Sequence, residues 1–208
     1  MNAFEQKKQL RLEIKNKFQH LNAHEWKNKV KKNLIDRDLS LNLFLLFLYL
    51  DIHPQTLVGG FAPLLDREPL WYAAFLEKSA LQFKTAFPKE DRSGEMIYLP
   101  LGLKELHFQT KERKEFGVML KAPKSRLRHK EKVSKPDLLL IPGVAFDKRG
   151  NRLGRGKAYF DRYLKHFAGL KIGLAYEFQL VERLPVDEWD RAMDMIVTEK
   201  TVYFLKDI

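Results

Sequence analysis

The run DLLLI, Asp137–Ile141, followed at once by Pro142 and Gly143, restricts this chain more than any other feature. A strand with one face in water alternates apolar and polar residues. An unbroken apolar run that ends in a turn signal is the pattern of a strand covered on both faces. Comparable runs recur at Thr56–Phe61, Leu81–Phe87, Met96–Leu101, Phe116–Leu120, Lys171–Ala175 and Met195–Thr198. Helix-like stretches lie between several of them, at Pro69–Ser79 and Lys157–Phe167. Strands alternating with helices predict an α/β fold with a largely parallel sheet. The expected form is a three-layer, Rossmann-like α/β/α arrangement with helices on both faces, in a single domain over residues 1–208. In such sheets, ligands occupy the crevice at the carboxyl ends of the strands.

Residues 4–36 are charged and periodic, and Phe4, Leu10, Ile14 and Phe18 are spaced for one helical face. A second helix is expected from near Asn22, carrying Trp26, Val30 and Leu34. The most apolar window, Leu39–Leu50, reads as a buried helix or strand. Its unbroken part, Leu43–Leu50, is eight residues long, against the roughly 20 that a bilayer span requires. The N-terminal segment has no apolar signal core. The expectation is a soluble, cytoplasmic protein with no membrane partner.

Lysine and arginine number 38 against 27 acidic residues, a formal net charge of +11. That excess attracts phosphorylated or polyanionic partners without choosing among nucleotide, nucleic acid and anionic metabolite. The absence of cysteine excludes disulfides, thiolate metal sites and a thiol nucleophile. The segment between Leu120 and Asp137, KAPKSRLRHKEKVSKP, is strongly basic. It reads as a solvated surface connection, with a flap over an anionic ligand or a nucleic-acid patch as the sharper alternatives. No nucleic-acid-binding module and no regular aromatic–basic interleaving accompanies it, which counts against nucleic acid.

The strand of Asp137–Ile141 leads into PGVAFDKRGNRLGRGKAYFDRYL, Pro142–Leu164. Gly154 and Gly156 let the backbone approach a bulky ligand or take positive φ. A helix is expected from near Lys157, and backbone N–H groups at its start would favour an anion. Arg155 and Lys157 add charged donors at the same place. Asp161, about one turn in, is suited to hold a divalent cation that bridges phosphates. Spacing alone leaves a plain strand-to-helix turn with solvated arginines as an equal reading, because this is not a GxxxxGK[ST] loop.

The same residues resemble the signature of the 5-formyltetrahydrofolate cyclo-ligase family, P-G-[VL]-A-F-D-x-x-G-x-R-[LM]-G-x-G-x-G-Y-Y-D-R-x-L. The segment KIGLAYEFQLVERLPVDEWDRAMDMIVTE, Lys171–Glu199, resembles the family's closing segment through Gln179, Pro185, Asp190, Asp194 and Thr198. KKQLR, Lys7–Arg11, resembles K-x-x-L-R on the family's first helix, and its two cations share one helix face. GGFAPLLDREP, Gly59–Pro69, resembles a substrate-binding segment that ends in Glu68 and contains Pro63.

The resemblance implies conversion of 5-formyltetrahydrofolate to 5,10-methenyltetrahydrofolate, with ATP, magnesium and the reduced folate as partners and a monomeric enzyme. It further implies that Lys7, Arg11 and the loop Arg152, Leu153, Gly154, Arg155, Gly156, Lys157, Ala158, Tyr159 and Phe160 bind ATP. Arg155, Lys157 and Tyr159 would act in catalysis and also meet the substrate with Pro63 and Glu68. Asp161 and Asp190 would hold magnesium. A relative acting on another N-formyl compound, or reusing the fold as a nucleotide- or nucleic-acid-binding scaffold, is the alternative. The sequence departs from the family pattern at Ala158 (glycine expected), at Phe160 (a second tyrosine), at Ala122 (glutamate) and at Trp189, where a smaller or polar residue is common.

Overall fold

The computed structural model describes residues 2–24, 29–61, 83–91, 93–100 and 133–206. Two long helices open the chain, α1 (Ala3–His24) and α2 (Lys29–Tyr49). Strands β1 (Leu57–Gly59), β2 (Lys84–Glu90), β3 (Met96–Pro100) and β4 (Leu138–Pro142) follow. Next come β5 (Ala145–Asp147), β6 (Arg152–Leu153), the short helix α3 (Tyr159–Leu164) and β7 (Leu170–Leu174). A single 3-10 turn (Glu177–Gln179), β8 (Leu180–Val181), β9 (Met195–Val197) and β10 (Val202–Phe204) complete the described elements.

Seven of these strands form one sheet in the order β10-β9-β7-β4-β1-β2-β3. Its middle is parallel, β9 to β7, β7 to β4, β4 to β1 and β1 to β2. Antiparallel β10 and β3 close its two edges. Every residue of β4 is buried, so this central strand is covered on both faces, as its unbroken apolar run predicts. The fold is α/β with a largely parallel sheet. A second sheet, β6-β5-β8, is small and lies beyond the end of β4. Phe146 on β5 links the two sheets. A Cβ added at Gly143 or Gly173 would stand 2.6 or 2.7 Å from its ring, so the ring fits only because both positions lack a side chain.

The strand between Leu81 and Phe87 lies later than expected, at Lys84–Glu90. Pro88 does not stop it, because β1 pairs only with Lys84–Ala86 and no donor is demanded at residue 88 from that side. Helix α1 runs through Asn22, where a second helix was expected to begin. Leu39–Tyr49 is the end of α2, and its burial repeats at helical period: Leu39, Leu43, Leu46 and Phe47 are buried while Leu41, Leu45 and Leu48 are exposed. On α1, Ile14 and Phe18 are buried, but Phe4 is 69% exposed and leaves the predicted face. Short β5, β6, β8 and β10 were not anticipated. The expected strand at Phe116–Leu120, the helix at Pro69–Ser79, Trp26 and most of the basic segment after Leu120 lie outside the described residues. Among the described residues, no helix is long and apolar enough to cross a membrane.

Candidate active site

The main sheet changes winding direction between β1 and β4, so their carboxyl ends open the ligand crevice of this fold. The loop that leaves β4 is built on buried carboxylate and amide groups. Asp147 is fully buried and accepts hydrogen bonds from the backbones of Arg149, Asn151 and Leu184 and from the Asn151 amide. Gln179 donates to the carbonyls of Gly143 and Val144 and accepts from the backbone of Tyr176. Both residues satisfy backbone groups of a loop that would otherwise bury them unpaired.

Arg152 is also buried. One end of its guanidinium donates to the Pro142 carbonyl at 3.1 Å and the other to Asp161. Its Cζ lies 5.4 Å from the centre of the Phe160 ring. Arg152 therefore ties the end of β4 to the first turn of α3 through its two terminal nitrogens. Leu153 and Phe160, expected at the nucleotide, are buried. A Cβ at Gly154 would stand 3.2 Å from both terminal nitrogens of Arg152, so glycine allows the loop to lie against the guanidinium.

Beyond it, Arg155, Gly156, Lys157 and Ala158 form an exposed tip. Gly156 has φ +97° and Ala158 has φ 55°, ψ 16°. The expected helix start at Lys157 is thus displaced to Tyr159, because two residues near the tip take left-handed conformations. Helix α3 has only six residues, so side-chain cations rather than a long helix dipole supply positive potential here.

Helix α1 brings two of those cations. Arg11 donates from Nε to the Gly154 carbonyl at 2.9 Å. Burial pulls its guanidinium below the usual value while the Asp161 charge opposes that pull. Lys7, one turn earlier, reaches Asp187 at 2.7 Å and Asp190 at 2.9 Å. Burial alone would lower the Lys7 pKa, but the two carboxylates outweigh it and hold it above the ordinary lysine value. The hydrophobic anchor for α1 is a separate small cluster of Ile14, Phe18, Ala145, Leu153, Tyr176 and Leu184. The helix is therefore placed by apolar packing at its middle, with its cationic turn over the loop.

The structure brings Lys7, Arg11, Gly154, Gly156, Arg152 and Asp161 into one assembly, joined to Asp190 through Lys7. Pro63 and Glu68 lie outside the described residues, as does Ala122. Tyr159 sits at the loop's exit, its hydroxyl donating to Glu90 at 3.1 Å. Asp187, Glu90 and Arg162 escaped sequence reasoning; only the three-residue spacing of Asp187 from Asp190 hinted at a shared turn. Asp194 and Thr198, part of the resemblance, are structural: Asp194 pairs with Lys171 and Lys206, and Thr198 with Glu177.

Among the described residues, no three acidic or histidine side chains gather as a cation cage. The contacts of Asp161 and Asp190 with Arg152 and Lys7 take one oxygen of each carboxylate. Magnesium on a nucleotide needs only one or two carboxylates beside phosphates and water. The donor set thus fits a cation carried in with phosphate, not one held by protein alone.

Fold and site together define an α/β protein with a cationic glycine loop at the carboxyl edge of a parallel sheet, closed by a helix from the start of the chain. The profile of the 5-formyltetrahydrofolate cyclo-ligase family matches residues 90–199, just over half of the sequence. The 5-formyltetrahydrofolate cyclo-ligase of Escherichia coli is 34% identical over 123 residues, covering 54% of this chain and 68% of the relative. The 5,10-methenyltetrahydrofolate synthetase of Aquifex aeolicus superposes with a TM-score of 0.68 at 27% identity, over 97% of this chain and 94% of that one. The synthetase of Mycoplasma pneumoniae, at 24% identity, shares the fold with a TM-score of 0.63 over 93% and 98%. The chain belongs to the 5-formyltetrahydrofolate cyclo-ligase family.

Proposed function

We propose that this protein converts 5-formyltetrahydrofolate to 5,10-methenyltetrahydrofolate at the expense of ATP, as a single-domain, monomeric, cytoplasmic enzyme. The observation that carries the reading is the junction of Arg11 with the Gly154 carbonyl. It joins the two separate segments that resemble the family's ATP-binding motifs into one cationic site on the expected edge of the sheet.

The formyl oxygen attacks the γ-phosphorus of ATP, and ADP leaves with the bridging oxygen. The resulting imidate phosphate is then attacked by the neighbouring folate nitrogen, whose N–H proton passes to solvent. Phosphate leaves with the former formyl oxygen and the ring is closed. No protein nucleophile enters, so the chain's work is positioning and charge stabilisation. Arg11, Arg155 and Lys157 hold the triphosphate. Lys7 contributes one turn along α1, with Asp187 and Asp190 setting where its ammonium stands. Arg152 fixes Asp161 beneath the loop. Asp161 and Asp190 would hold magnesium, which would supply neutralisation of phosphate charge. Tyr159 faces the transferring group, and Pro63 and Glu68 meet the pterin.

The test mixes the protein with 5-formyltetrahydrofolate, ATP and magnesium and follows methenyl absorbance. ATP-dependent product that is lost in Asp161→Ala supports the reading. Nucleotide binding with no turnover of any reduced folate would overturn it.

A further inference from the structure

The β2–β3 hairpin touches the proposed site in a way the reaction scheme does not use. Its turn is built by Asp91, whose carboxylate accepts from the Ser93 backbone and hydroxyl and from the Glu95 backbone, with Gly94 at φ +85°. Glu90, at the end of β2, accepts the hydroxyl of Tyr159 at 3.1 Å. Arg162 lies over the Tyr159 ring with Cζ 5.2 Å from its centre. The same guanidinium approaches Glu95 at 3.5 Å and donates to the Lys157 carbonyl at 3.3 Å. The phenol is therefore gripped at its polar end by the hairpin and on one face by a cation that is itself tied to hairpin and loop.

We propose that Glu90 is a positioning residue for Tyr159, fixing the orientation in which the ring enters the site, with Arg162 holding its face. The proposal rests on the cyclo-ligase reading, in which Tyr159 meets the substrate. A tyrosine on one short turn has free rotation about two side-chain bonds, and an acceptor at the far end of the ring restricts both. The hydroxyl hydrogen is committed to Glu90, so the oxygen lone pairs and the ring, not a donated proton, face the substrate. Burial and then the Glu90 contact hold the Tyr159 phenol above the usual tyrosine range.

A double-mutant cycle tests this. Glu90→Ala lowers kcat/KM for the reduced folate by roughly 3- to 10-fold, the reach of one net hydrogen bond, and leaves the KM for ATP unchanged. Tyr159→Phe gives a comparable loss, and the double variant is no worse than either alone. Glu90→Gln, which keeps an acceptor, restores most of the rate. Multiplicative losses, or a Glu90→Ala variant as active as the parent while Tyr159→Phe is impaired, would overturn the proposal. A second measurement does not depend on turnover. In protein labelled with 3-fluorotyrosine, the Tyr159 resonance is assigned by its absence in Tyr159→Phe. At fixed neutral pH its fluorine shift moves in Glu90→Ala relative to the parent; an unchanged shift refutes the contact. A parent without cyclo-ligase activity defeats the functional reading, and the fluorine shift still decides whether Glu90 holds Tyr159.

Discussion

Replacing Ala158 with glycine should stabilise the protein, although alanine-to-glycine changes usually do the reverse. Ala158 sits at φ 55°, ψ 16°, the left-handed region, immediately before α3. An L-residue there carries roughly 1–2 kcal/mol of steric cost that glycine avoids. Glycine in turn gives the unfolded chain more freedom, which removes about 0.4–1 kcal/mol. The balance is a gain of about 0.5–1 kcal/mol. No side-chain cap hydrogen bond is made at residue 158, and its methyl is exposed, so little packing offsets the gain. For a chain of this size the gain raises Tm by about 1–4 °C. Urea titration of parent and variant, with equal slopes and a higher midpoint for the variant, is the direct assay. If residue 158 were an ordinary helical position, the change would destabilise by about 1 kcal/mol instead. A fall in the midpoint would therefore refute the backbone assignment on which the loop description depends.

Gly154→Ala pushes a methyl to 3.2 Å from the Arg152 guanidinium and should cost about 1–3 kcal/mol as the overpacked contact relaxes, read as a lower thermal midpoint. Lys7→Met removes the ammonium held by Asp187 and Asp190; ATP affinity should fall roughly 10- to 100-fold, the size of one charge-assisted hydrogen bond, in a nucleotide titration. Burial would raise the Asp194 pKa, but hydrogen bonds from Lys171 and Lys206 outweigh it and hold it below the ordinary aspartate value. The stability it confers is then fully present above the unfolded pKa of about 4 and is lost as pH falls through the lower folded value. Asp194→Asn should flatten that acid limb, checked by urea midpoints between about pH 2 and 6.

Legibility of the sequence tracked how local the cause was. The buried middle of the sheet was readable because Leu138–Ile141 cannot be anything half-exposed, and β4 is buried throughout. The sequence does not mark the boundary between α1 and α2, because no glycine or proline stands between Asn22 and Lys29. Strands of two or three residues, such as β6 and β8, carry no period at all; their pairing partners β5 and the loops around it define them. At the site, the glycine–arginine loop and the Lys7–Arg11 face were visible as residue types. Their partners were not. That Arg152 faces Pro142 and Asp161, that Lys7 lies between two aspartates and that Tyr159 meets Glu90 are facts of three-dimensional closure. The left-handed backbone at Ala158 was open in the sequence, since alanine accepts a helix start equally well.

The contact between Lys7 and Asp190 spans 183 positions of the chain. During synthesis at about 5–20 residues per second, the first helix emerges many seconds before the aspartates that hold its lysine exist. The small apolar seat of α1 is complete only once β5, β6 and Leu184 have been made. In the proposed reading Lys7 is one of the phosphate-holding cations, so a nascent chain stalled before Asp187 would lack the two carboxylates that set where that ammonium stands.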